Sequence, residues 1–341
     1  MEGGKGRVCV TGGTGFIASV IIKRLLHEGY SVNTTVRSSS ANSKKDVTFL
    51  TNLPGAPQRL QIFNADLNNP ESFNAAIEGC IGVFHTATPS PTTDTNYSSQ
   101  SNQTQESIIK TNVDGVLGIL KSCLNSKTVK RVVYTSSGSA VIHNNRTREH
   151  EIMDESYWSD VDFLCDTKPF LWFNSVSKTL AEKAALEFGE QHGLEVVSLI
   201  PPLVLGPFIC SKLPDSVHIS LALLFGRDNL DQLGALLRFP IAHVDDLARA
   251  HIFLLQHQNP KGRYNCSPCS VTLEEIAEII RSKHPEFKIP SPESIKKIKG
   301  ENVPHLNSKK LIDAGFEFKY GTEETFEEAI QCCKEKGYLN S

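Results

Sequence analysis

Apolar residues open this chain in a short β-branched block, Arg7-Val8-Cys9-Val10, which breaks at Gly12-Gly13-Thr14-Gly15 and then gives way to Ile17, Val20, Ile21 and Leu25. The block is the pattern of a buried strand, and the wider spacing that follows is one face of a helix. The cycle then repeats. Strands are predicted over 31–36, 60–63, 82–85, 131–135 and 196–200, with helices over 70–78, 106–125 and 174–191. Such alternation predicts a doubly wound parallel sheet covered by helices on both faces, with ligands at the carboxyl ends of the strands. After Pro201 the regularity fades, and only 273–283 and 325–336 read as further helices. Two interleaved parts of one compact unit are expected, residues 1–200 and a smaller lobe of 201–341.

The first turn narrows the fold to a Rossmann type. Gly12-x-x-Gly15-x-x-Ala18 follows a strand and opens a helix, the setting in which glycines let the backbone approach a pyrophosphate and the helix N-terminus offers free N–H groups. Thr14, Phe16 and Ile17 fall in the same turn. The second strand ends at Val36-Arg37 with no carboxylate to accept from a ribose hydroxyl, so Arg37, with Lys44 and Lys45 nearby, favours a 2′-phosphate and hence NADP(H). Asp66, followed by Leu67, either accepts from an adenine amino group or caps the helix near Pro70. Thr86 and Ala87 end a strand that passes beneath the cofactor. Residues 1–200 are thus read as mainly the NADP-binding domain and 201–341 as mainly the substrate-binding lobe. The polar stretch 86–105 is either a lid or a solvated connector.

Composition removes other classes. With 35 basic and 38 acidic residues in 341, no strong field is available to hold nucleic acid or an anionic membrane, and the expected partner is a small molecule. The apolar run 197–209 is interrupted by Pro201, Pro202 and Pro207, so no membrane span is expected. The nine cysteines form no paired framework and no secretory signal precedes them, as expected of a cytoplasmic protein. Cys266-Ser267-Pro268-Cys269 has a zinc-like spacing but lacks a second ligand pair, so no metal is expected.

Longer strings point to one family. Val10-Thr11-Gly12-Gly13-Thr14-Gly15-Phe16, Val83-Phe84-His85-Thr86-Ala87-Thr88-Pro89, Lys130-Arg131-Val132-Val133-Tyr134-Thr135-Ser136-Ser137, Val176-Ser177-Lys178-Thr179-Leu180-Ala181-Glu182-Lys183 and His243-Val244-Asp245-Asp246 resemble the extended short-chain dehydrogenase/reductase superfamily. The closer resemblance, nearly end to end, is to its plant dihydroflavonol 4-reductase and vestitone reductase branch. That resemblance implies NADPH-dependent reduction of a flavonoid-like ketone by a monomer or weak dimer. It also implies that Pro201 and Val204 pass near the nicotinamide.

The family transfers its proton with a Ser-Tyr-Lys set. By the resemblance, Ser137 bonds the carbonyl oxygen and Lys178 holds the nicotinamide ribose. The tyrosine position is Asn174. A carboxamide donates hydrogen bonds but has no proton to surrender near neutral pH. Among other phenols, Tyr134 lies three residues before Ser137, so strand alternation turns it to the opposite face, and Tyr157 and Tyr97 lie in loops. Three readings follow. The first is a reductase with atypical proton delivery, or one acting on an iminium acceptor that needs no acid. The second is a non-redox isomerase, cyclase or dehydratase, with Phe163, Phe170, Trp172 and Phe173 as walls for a planar phenolic or alkaloid ligand. The third is a silent NADP-binding protein.

Overall fold

The computed structural model describes residues 4–37, 46–89, 102–144, 152–169, 172–226 and 236–339. Its strands are β1 (Arg7–Thr11), β2 (Ser31–Val36), β3 (Leu60–Asn64), β4 (Gly82–His85), β5 (Arg131–Thr135), β6 (Ile152–Met153), β7 (Glu195–Ile200), β8 (Leu203–Leu205), β9 (Leu236–His243), β10 (Gly262–Asn265), β11 (Cys269–Thr272), β12 (Glu301–Asn302) and β13 (His305–Leu306). The longer helices are α1 (Phe16–His27), α2 (Asn102–Ser126), α3 (Trp172–His192), α4 (Val244–Gln256), α5 (Leu273–Lys283) and α6 (Thr322–Glu335).

Seven strands form one parallel sheet in the order β10-β7-β5-β4-β1-β2-β3. The chain winds outward from β1 through β2 to β3, then returns to β4 and winds the other way. The switch point is therefore between β1 and β4, where crossovers diverge and leave a crevice at the carboxyl ends.

Strand alternation divides the core cleanly. Val8, Val10, Phe84, Val133, Val197 and Leu199 join the cluster on the face of α1 and α4, with Ile21, Leu25, Leu247 and Leu254. Cys9, Val83, Val132, Tyr134 and Val196 point the other way, into the cluster with Ile119, Leu120, Ala181 and Ala185 of α2 and α3. Two buried faces explain why these strands read as continuous apolar runs. Each fully buried Leu, Ile or Phe contributes roughly 1.5–3 kcal/mol, so the helices are held mainly by these faces.

The later half is more regular than its hydrophobic pattern suggests. β11, β9 and β12 form a second sheet joined by β8, and α5 and α6 cover it through Phe239, Ile241, Ile276, Ile280, Phe326 and Ile330. β10 returns to the edge of the large sheet beside β7. The pattern hides these elements because their interior faces carry polar residues: Arg263 and Asn265 in β10, Asp246 and His251 in α4, all buried. Pro240, which donates no ladder hydrogen bond, further masks β9. The helix expected over 70–78 is a 3₁₀ turn, Pro70–Phe73, running into a short α-helix that ends at Ile77.

Candidate active site

The crevice begins at the glycine turn. Gly12 has φ +73, and a Cβ there would lie 3.1 Å from Ala87 Cα; one on Gly13 would lie 2.2 Å from Thr34 Oγ1. Glycine is therefore required by space as well as by conformation. The turn is pinned from β2, where Thr35 Oγ1 accepts from Gly12 N (3.1 Å) and Thr35 O accepts from Gly13 N (2.8 Å). Gly15 caps α1 with no side chain bonded to the free N–H groups and no acidic residue in the first turn. That leaves the positive end of a twelve-residue helix open toward the crevice. Close backbone approach and an open helix end fit a dinucleotide pyrophosphate.

The flanking residues are sorted by the structure. Thr14 is half-buried, and Phe16 and Ile17 pack against the core, Phe16 edge-on to Phe208 at 6.3 Å. Arg37 is exposed just beyond β2. Lys44, Lys45, Tyr97 and Phe170 lie outside the described residues. Asp66 accepts from Asn68 N at 2.8 Å and Asn68 Nδ2 at 3.0 Å, closing a local turn ahead of the 3₁₀ segment. Leu67 is buried in the core against α2, beside Gly115. Val204 is likewise a core residue, and the Pro201 carbonyl accepts from Gly138 N at 2.7 Å, which ties the segment after β7 to the turn after Ser137.

Thr11, to which no sequence pattern assigns a role, holds the β1 and β4 ends together. Its Oγ1 accepts from Thr86 N and Ala87 N, each at 3.1 Å, and faces His85 Nδ1 at 2.9 Å. With both lone pairs in use, the Thr11 hydroxyl donates to Nδ1, which leaves the His85 ring proton on Nε2. Burial keeps that ring neutral, with its pKa pushed down to about 3 by desolvation and by the Lys178 charge.

Ser137, Lys178 and Asn174 converge on the carboxyl end of β5. Ser137 is half-buried; its Oγ accepts from Ser139 Oγ (2.9 Å) and Ser139 N (3.2 Å), so its own proton remains free to be donated outward. Lys178 is buried and reaches from α3 to Thr88 Oγ1 (2.9 Å) and the Thr135 carbonyl (3.2 Å). Two of its three N–H donors are used, and the third has no acceptor among the described residues. Desolvation lowers its pKa to about 8, against the opposing charge of Glu182. Asn174 lies one turn earlier on α3 and is half-buried.

Among the described residues, Tyr134 is the phenol next to Lys178, and it is closed off from the crevice. Tyr134 is 2 % exposed, packed in the core on the α2 and α3 face of β5 with its ring 5.7 Å from Lys178 Nζ, and its hydroxyl has no partner among the described residues. Desolvation, then the Glu182 charge, push its pKa well above the ordinary range. A cavity of about 580 Å³ lies at the opposite, amino-terminal edge of the sheet, among Tyr30, Lys130, Arg131 and Glu195, away from these groups.

The fold and this crevice define a dinucleotide-binding α/β enzyme, and the chain belongs to the NAD dependent epimerase/dehydratase family, which it matches over residues 8–267. Within it, the chain falls in the plant dihydroflavonol 4-reductase and vestitone reductase branch, and it is an oxidoreductase by class. It is 57% identical to vestitone reductase of Medicago sativa, over 99% of this chain and all of the relative. Identity to dihydroflavonol 4-reductase of Callistephus chinensis is 43%, covering 97% of this chain and 87% of that one. The crystal structure of vestitone reductase from alfalfa superposes with a TM-score of 0.86 at 56% identity, covering 98% of this chain and all of that chain. Among the described residues no helix is long and apolar enough to cross a membrane.

Proposed function

We propose that this chain is an NADPH-dependent reductase of a planar, flavonoid- or isoflavonoid-like ketone, with a proton route altered at Asn174. The observation that carries the reading is the pairing of Ser137 and Lys178, each with an unspent N–H or O–H donor, at the open edge of β5. The end-to-end likeness to a vestitone reductase supports the substrate class. Arg37, exposed beyond β2, supports a 2′-phosphate on the cofactor.

Bound NADPH supplies the hydride. Ser137 donates its free hydrogen bond to the carbonyl oxygen and orients it. As the carbon accepts hydride, the C=O π electrons move to that oxygen, which takes a proton from the Lys178 ammonium; the neutral amine then regains a proton from water. An ammonium with a pKa of about 8 is a competent acid near neutral pH, whereas the Asn174 carboxamide can only polarise. Asn174 also favours a second acceptor class: hydride delivered to an iminium carbon quenches a positive charge and leaves no oxygen to protonate.

The test is to mix the protein with NADPH and a panel of planar phenolic ketones and cyclic iminium ions, following cofactor absorbance and products together. Stoichiometric NADPH oxidation with formation of an alcohol or amine is expected. Products formed without NADPH consumption would instead make it an isomerase, cyclase or dehydratase, and tight NADPH binding with no product from any compound would make it a silent binder.

A further inference from the structure

One buried cluster beside the site takes no direct part in hydride or proton transfer. Glu182 stands one turn after Lys178 on α3 and is fully buried. Its carboxylate accepts from Ser136 Oγ at 2.7 Å, Ser198 Oγ at 2.6 Å, and Arg263 Nε and Nη2 at 2.9 and 3.2 Å. Four donors on one carboxylate leave it well satisfied despite its burial. Arg263, 5 % exposed on β10, spends both Nη1 donors on the carbonyls of Glu155 (2.9 Å) and Tyr157, and its guanidinium lies 3.5 Å from the Trp158 ring centroid.

These contacts close a loop around Ser137. On one side Glu182 grips Ser136, the preceding residue. On the other, Arg263 fixes the 155–158 segment, whose next residue, Ser159, donates to the Ser139 carbonyl at 2.8 Å. Ser139 in turn donates to Ser137 Oγ. We infer that the Glu182–Arg263 pair is the positioning device of the active site, holding Ser137 from both sides while its carboxylate stabilises the positive charge of Lys178 one helical turn away. This inference rests on Ser137 and Lys178 being the working pair.

The surroundings of Lys178 single out Glu182. From β4 it is faced by His85, kept neutral by burial, and from β5 by the ring of Tyr134 at 5.7 Å, whose phenol burial keeps protonated. Arg263 pairs with Glu182 but is not among the charges that act on Lys178. Among the described residues, then, Glu182 is the negative group acting on Lys178, and it opposes the desolvation that lowers the ammonium pKa.

The decisive readout needs no substrate: the pH dependence of NADPH affinity, which follows the Lys178 charge, measured on the whole protein and on Glu182→Gln. The variant should lose affinity at a pH lower by about one unit, because removing a nearby opposite charge disfavours the ammonium. Ser198→Ala, which removes one hydrogen bond but no charge, should leave that midpoint in place. Ser136→Ala, which cuts only the direct grip on the strand end, should lower kcat about tenfold with NADPH affinity unchanged, and it also serves if Glu182→Gln fails to fold. An unshifted midpoint in Glu182→Gln, or an unchanged kcat in Ser136→Ala, overturns the inference. If the parent protein binds NADPH but reduces nothing, the reductase reading fails, and the midpoint comparison still decides the role of Glu182.

Discussion

The glycine turn after β1 and the Asn174-to-Lys178 stretch of α3 face the same edge of one sheet, yet they carry function in different ways. The turn works through its backbone: φ +73 at Gly12 and the 3.1 Å approach to Ala87 tie the nucleotide site to the fold itself. On the proposed reading the α3 stretch works instead through side-chain termini, those of Asn174 and Lys178. Cofactor binding is therefore hard to lose by a single conservative step, while proton transfer is easy to alter. The fold superposes on that of alfalfa vestitone reductase across nearly the whole chain.

The comparison can be pressed at each region in turn. The largest effect is expected at the side chain. Asn174→Tyr should raise ketone reduction by up to ~10²-fold in single-turnover assays, the low end of what a positioned acid contributes because Lys178 already supplies a proton, with NADPH affinity unchanged. No gain would mean that the rest of the pocket has drifted as well. A smaller effect is expected at the backbone. Gly12→Ala forces an L-residue into the left-handed region at a cost of about 1–2 kcal/mol and pushes a methyl group against Ala87. Thermal unfolding should shift downward and NADPH binding should weaken together. Weakened binding with an unchanged melting temperature would separate the turn from the fold.

Legibility in the sequence follows the same division. The parallel sheet and its switch point could be read because Val8, Val83, Val132 and Val197 are apolar on both faces and the glycines mark the turn. The expectation at Asn174 rests on its place four residues before Lys178 in a recognisable string. Glu182 and Arg263 were not distinguished from surface charges, since a buried ion pair and a solvated one look alike along a chain; only their mutual 2.9 Å contact separates them. β10 gives no apolar run for the same reason, because buried Arg263 and Asn265 interrupt it. Thr11 and Thr88 stand inside family strings that assign them no role: their importance comes from what they bond, His85 and Lys178, in distant strands and helices.

The central claim is that hydride delivery is intact and that only the source of the proton has changed, to the Lys178 ammonium. The most direct test is the pH dependence of single-turnover NADPH oxidation in the parent protein, with a ketone and with a cyclic iminium ion compared side by side at saturating cofactor. Lys178 loses its proton as pH rises through about 8, so ketone reduction should be fastest below that value and fall as pH rises through it, while iminium reduction should show no such fall. A ketone rate that stays level across that range, or that rises with pH, would contradict the account.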